Sequence, residues 1–288
     1  MKSLLNILIM CALFIRFDSA TAQNPENIFQ TKVGNSEVIL LSDGQKTGNK
    51  KILLDASPEI LEKYIPDGTF PNSCNAFLIK MNGKNILIDS GTGSELLNNL
   101  AQIGVRPEDI NTILLTHMHG DHIGGLVKND KAVFPNVTEI YIAQREYDYW
   151  HPNTGSKLAQ AVFSLYKNKI KLFQPNSLKS ELTPLISGIF AIAAYGHTPG
   201  HTMFLLESGN QKMMIWGDLT HAMAIQIPHP EIAVTYDVDP VMATKSRIET
   251  LRYVSENNIP IAGMHIYFPG MGFIKANASN EYSFTVMK

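Results

Sequence analysis

Residues 112–126 read TILLTHMHGDHIGGL: a short apolar run opens into three histidines and an aspartate within six residues, and a pair of glycines follows. Thr112 to Thr116 has the composition of a buried β-strand. Histidines at i and i+2, here His117 and His119, can reach one ion from a loop, while the Asp121–His122 pair turns toward a second. Gly120, Gly124 and Gly125 permit the sharp turns and close backbone approach that such a loop needs. The stretch can contribute to two metal sites but completes neither.

The missing ligands are expected just beyond other apolar runs, where a strand end fixes a side chain rigidly. AAYGHTPGHTMFLL offers His197 and His201, MMIWGDLTH offers Asp218 and His221, and IAGMHIYFPGMG offers His265. Strand character also marks Val38–Leu41, Ala76–Met81, Ile86–Asp89, Glu139–Ala143, Ile189–Ala194, Met203–Glu207 and Lys212–Trp216. MNGKN and SGNQ read as hairpin turns. Helical periodicity covers Glu59–Ile65, Ser94–Ile103, Lys157–Lys169 and Pro240–Asn257, with Ser94 and Asp239 as start signals. Strands and helices interleave in two halves without repeat or linker, which predicts one α/β domain with packed sheets and helices outside.

The N-terminal segment is different. Lys2, the apolar run Leu4–Ile15 and the small residues Ala20-Thr21-Ala22 read as an export signal over residues 1–22. A mature domain over 23–288, periplasmic or secreted and without stable membrane insertion after cleavage, is the expectation. Cleavage would remove Cys11 and leave Cys74 alone, so no internal disulfide forms. The formal charge of −2, with no basic run, excludes a surface built for nucleic-acid phosphates.

Together the motifs resemble the metallo-β-lactamase superfamily over nearly the whole mature chain. LIDSG around Asp89 is similar to its first motif, THMHGDH to the second, GHTPGHT to the third, WGDLTH to the fourth and GMHIYFPG to the fifth. The resemblance implies an αββα sandwich of two mixed sheets with two divalent metal ions, zinc by preference, at the sheet edge. It implies that His117, His119 and His201 hold one ion. Asp121, His122 and His265 hold the other, with Asp218 bridging and His197 outside the ligand set. Asp89 is expected to orient the metal loops through hydrogen bonds.

Departures and flanks narrow the reaction. His122 and Asp218 are both kept, whereas the superfamily's β-lactamases usually replace one of them. No C-terminal glutathione-binding region follows His265, and the basic clamp of the RNA-processing branches is absent. FPNVTEIYIAQREYDYW, GDLTH and IYFPGMG resemble the branch of methyl parathion hydrolase and the secreted N-acyl-homoserine lactonases.

That resemblance implies a dinuclear lactonase acting on a small acyl lactone by attack of a hydroxide held between the ions. The alternatives are an arylesterase or an organophosphate phosphotriesterase. Asp121 is expected to pass a proton to the leaving alkoxide. His221 is expected to steady the carbonyl oxygen without holding metal. An apolar groove of Met223, Ile225, Ile227, Phe268 and Met271 is expected to take the acyl chain. Helix packing is expected of Tyr147, Tyr149, Trp150 and Phe163. A homodimer is left open.

Overall fold

The computed structural model describes residues 27–151, 155–279 and 281–288. The expected export signal lies outside them. Among the described residues no helix is long and apolar enough to cross a membrane.

The first half of the chain carries β1 (Ile28–Val33), β2 (Ser36–Asn49), β3 (Thr69–Met81), β4 (Lys84–Ile88), β5 (Thr112–Leu114), the small ribbon β6 (Val127–Lys128) and β7 (Lys131–Ala132), β8 (Glu139–Ala143) and β9 (Ile170–Phe173). All but the ribbon join one seven-stranded sheet in the order β1-β2-β3-β4-β5-β8-β9. The second half carries β10 (Thr183–Ile186), β11 (Ile189–Ala193), β12 (Thr202–Ser208), β13 (Gln211–Ile215), β14 (Ile261–Ala262), β15 (Met271–Ala276) and β16 (Tyr282–Val286), which form a second seven-stranded sheet in sequence order. Both sheets are mixed: β4, β5, β8 and β9 run parallel, as do β13 and β14, and the rest are antiparallel. The helices are α1 (Pro58–Tyr64), α2 (Leu96–Gln102), α3 (Gly120–Ile123), α4 (Gln144–Trp150), α5 (Lys157–Leu165), α6 (Met223–Gln226) and α7 (Pro240–Glu256).

Why the apolar runs are continuous follows from the layers. Val38 and Leu40 face the second sheet with Phe77, Ile79, Phe204 and Leu206. Their neighbours Ile39, Leu41 and Leu78 face outward onto a core shared with Leu96, Leu100, Ala159 and Val162 of α2 and α5. On the other sheet Met203, Leu205 and Met214 turn outward to Leu251 and Val254 of α7. Each central strand is therefore apolar on both faces, and the order is helix, sheet, sheet, helix.

Element ends follow local chemistry. The β3–β4 turn places Asn82 and Gly83 at φ 50° and 72°, the paired positive values of a two-residue hairpin. Asp239 accepts from Met242 N at 2.9 Å and starts α7 beside Pro240. Ser94 does not start α2. The Asp43 carboxylate takes the N–H groups of Thr92 (2.6 Å) and Glu95 (3.0 Å), holding that segment as a loop until Leu96. The helix expected to reach Lys169 stops at Leu165, where the Tyr166 ring turns inward and donates to Leu126 O at 2.9 Å.

Candidate metal centre

Strand ends of both sheets deliver the site. His117 follows β5 and His119 caps α3, which carries Asp121 and His122; His197 precedes β12, Asp218 follows β13 and His265 follows β14. Their ligating atoms converge. His119 Nδ1 lies 3.0 Å from both His117 Nε2 and His197 Nε2. Asp218 Oδ2 lies 3.3 Å from His197 Nε2, 3.6 Å from His117 Nε2 and 3.1 Å from His265 Nε2, while Asp218 Oδ1 is 3.1 Å from His122 Nε2. Asp121 Oδ2 stands 3.6 Å from His265 Nε2.

Two separate groups result, His117, His119, His197 and Asp218 in one and Asp121, His122 and His265 in the other, and a third set, Asp218, His221 and His265, links them. Ligands of a tetrahedral zinc at 2.0–2.1 Å lie about 3.3 Å from one another, so these spacings suit an ion at the centre of each group. The buried atoms His122 Nε2 and Asp218 Oδ1 have no hydrogen-bond partner. Buried polar atoms left so are expensive, and a divalent cation between them removes the cost.

One expected ligand is corrected. The His201 imidazole is fully buried and lies outside both groups. Its Nδ1 donates to Ala194 O at 3.0 Å, and its Nε2 accepts the Asp218 N–H at 2.9 Å. Both nitrogens are used within the fold, and no lone pair remains. His197, expected outside the set, stands where that ligand belongs.

Outer contacts fix each ring. His122 Nδ1 lies 2.7 Å from Asp89 Oδ2, and the same carboxylate takes Thr116 N at 2.8 Å and Thr116 Oγ1 at 2.6 Å. Asp89 achieves this reach from a left-handed backbone, φ 54°, just past β4. His197 Nδ1 lies 2.9 Å from Asp237 Oδ1, and His265 Nδ1 lies 2.8 Å from Ser73 O. An Nδ1–H donated in each would leave the Nε2 lone pair to an ion in the site.

Charges follow from these contacts. Burial holds His117 well below the ordinary histidine pKa and His119 down to about 4, so both are neutral donors. Burial opposes a charge on His197, yet hydrogen bonds to Asp218 and Asp237 outweigh it and raise its pKa to about 9. Burial works against ionised Asp121, but His122 and His265 keep its carboxyl below the usual range. The Asp121 side chain is 38% exposed against 2% for Asp218, so Asp121 opens to solvent while Asp218 is enclosed.

A cavity of about 590 Å³ opens over the site, lined by His119, Gly120, Asp121, His197, Asp218, His221 and His265 on its floor. Its walls include Lys46, Thr47, Asn49, Ile52, Asn72 and Tyr236. Met223, Ile225, Ile227, Phe268 and Met271 do not line it. Ile225 and Met271 are fully buried in separate cores, Met223 and Ile227 flank a different cleft, and Phe268 packs edge-on against Phe29. Trp150 stands edge-on to His119 at 5.5 Å, and Phe163 packs on Tyr147 in the outer core.

Several contributors gave no sequence signal. Asn72 donates to His221 O at 2.8 Å. Glu146, 1% exposed, accepts from Met118 N, Trp150 Nε1, Thr198 Oγ1 and Gly200 N. Apart from Trp150, four residues on from Glu146, their partners lie tens of residues away, beyond any local pattern.

A family model described as the metallo-beta-lactamase superfamily matches residues 69–256, more than half of the chain. The chain belongs to that superfamily and is a metal-dependent hydrolase. It is similar in structure to a hydrolase of the beta-lactamase superfamily, AbOPH, with 29% identity, 91% of this chain and 98% of that one covered, and a TM-score of 0.81. It is equally similar to AidC, a dizinc quorum-quenching lactonase solved with the product N-hexanoyl-L-homoserine, with 29% identity, the same coverage and a TM-score of 0.80. Among curated proteins, the exodeoxyribonuclease WalJ of Streptococcus pneumoniae is 41% identical over 56 residues, 19% of this chain and 21% of that protein. The match thus spans about a fifth of that relative's length.

Proposed function

We propose that the protein is an exported dinuclear zinc lactonase that opens the ring of N-acyl-homoserine lactones. The observation that carries the reading is the pair of His/Asp groups beside one open cavity, with Asp218 standing 3.3 Å from His197 of one and 3.1 Å from His122 and His265 of the other. The likeness to AidC along 98% of that lactonase supports the substrate class. One group would comprise His117, His119 and His197, the other Asp121, His122 and His265.

Ions held there would supply a Lewis acid for the lactone carbonyl and lower the pKa of the attacking water. The protein's own share is placement and proton transfer. Asp121, half-open to the cavity and held as a carboxylate, accepts the proton of the attacking water and passes it to the alkoxide that leaves as the ring opens. Gly120 lines the cavity, and a Cβ there would meet only Leu158 Cδ2 at 4.0 Å. Ile52 and Tyr236 offer the acyl chain apolar surface, in place of the residues first expected to do so.

Ring opening releases a proton, so a pH-stat follows turnover directly. Zinc-loaded protein is expected to turn over acyl-homoserine lactones faster than aryl esters or paraoxon and to stop on chelation. Faster phosphotriester turnover would replace this reading with that of a phosphotriesterase. Export is tested by N-terminal sequencing from the native host, with a start near Gln23 expected and an intact Met1 opposing it.

A further inference from the structure

His221 stands three residues after Asp218, and its Nε2 lies 3.1 Å from Asp218 Oδ2. The same oxygen is 3.1 Å from His265 Nε2, and the two imidazoles stack at 4.8 Å between centroids and 26° between planes. Asp218, His221 and His265 thus bring three ligating atoms together in the manner of the two groups already described.

The backbone of His221 is anchored. Its N–H donates to Gln226 Oε1 at 2.7 Å and its carbonyl accepts from Asn72 Nδ2 at 2.8 Å. Gln226 also takes the Ala222 N–H and donates to Ile232 O. Arg247, buried, binds that same Ile232 carbonyl and Leu219 O, closing a network around the loop.

A histidine kept for the fold has both nitrogens satisfied by the fold, as His201 does. His221 is 4% exposed, its Nδ1 has no partner, and its Nε2 faces only the shared carboxylate. The anchored backbone turns Nε2 toward Asp218 and His265, so a donor atom is aimed at the site while no protein group claims Nδ1.

We infer that His221 is a metal ligand, joining His265 and the shared Asp218 at the second ion. The inference rests on the dinuclear reading above. It makes the two ions unequal. The second ion would gain a protein donor that the ion near His117, His119 and His197 lacks, and it would be the one retained longer.

The test measures zinc and cobalt(II) binding by chelator competition in the wild type, His221→Ala and the surface control His229→Ala. Wild type and control are expected to bind two ions. His221→Ala should bind one of them at least tenfold more weakly, and cobalt(II) absorption should intensify as that ion loses a donor. The melting temperature of the metal-free variant should match the wild type, while the rise on adding zinc should be smaller. If alanine lowers the metal-free melting temperature, His221→Gln keeps the volume and should show the same loss of affinity. Two ions bound with wild-type affinity and an unchanged cobalt spectrum would overturn the ligand role and leave the dinuclear reading standing. A wild type that binds only one ion would overturn both.

Discussion

Glu146 Oε2 accepts the Thr198 hydroxyl at 2.6 Å, and through that bond α4 grips the loop that carries His197. The other oxygen of the carboxylate takes Met118 N at 3.0 Å, between His117 and His119. One buried side chain therefore sets the spacing between two ligand loops from different sheets. Glutamine has nearly the same shape but turns an NH2 toward donors. Glu146→Gln is expected to lower unfolding free energy by about 2–4 kcal/mol, from buried donors left unpaired. Urea denaturation of the metal-free protein measures it, and a loss under about 0.5 kcal/mol, the range of surface substitutions, would refute the clamp.

Asp237 holds the His197 ring and would act on a metal there through it. Asp237→Asn keeps the shape but removes the charge 2.9 Å from Nδ1, making the imidazole a poorer donor. Zinc affinity or activity should fall roughly 10–100-fold with little change in fold. Chelator competition beside circular dichroism separates these effects.

Asp218 approaches both ligand groups. Asp218→Ala should lose metal and hydrolysis together, read by elemental analysis and pH-stat. In the wild type about two zinc ions per chain are expected, and zinc should raise the melting temperature because it binds the folded state.

Cys74 is buried beneath Asp121, its Sγ 3.4 Å from Asp121 O, and burial pushes its thiol up to about 12. Below that pH the thiolate is scarce, so a disulfide reagent at pH 8 should leave Cys74 unmodified until denaturant is added. A Cys11→Ser background makes the titration specific. Rapid labelling of the native protein would show that the strand opens.

The central strands were legible because each fills a double-sided core, where apolar runs such as Phe77–Ile79 and Phe204–Leu206 are unbroken. Edge strands were not. Ile28–Val33 and Tyr282–Val286 alternate partly exposed residues and carry no such run, and Ile261–Ala262 is too short to register. At the site, density of histidines marked the first loop. Choosing between His197 and His201 was beyond sequence, because both sit beside glycine in GHTPGHT. The choice is made by what each ring meets: Asp237, forty residues on, for one, and the Asp218 backbone for the other. Likewise Met271 and Ile225 look like groove residues by position, but pleat and helix face turn them into cores.

The two sheets come from successive halves of the chain, the first ending at Phe173 and the second beginning at Thr183. His117, His119, Asp121 and His122 belong to one half, and His197, Asp218 and His265 to the other. Ions bound between them are therefore crosslinks between consecutive segments of polypeptide. If the protein were expressed as two pieces severed between Phe173 and Asn176, zinc would serve as their fastener. The pieces should copurify in zinc and part more readily in chelator, turning the hydrolase scaffold into a reversible metal-operated coupling.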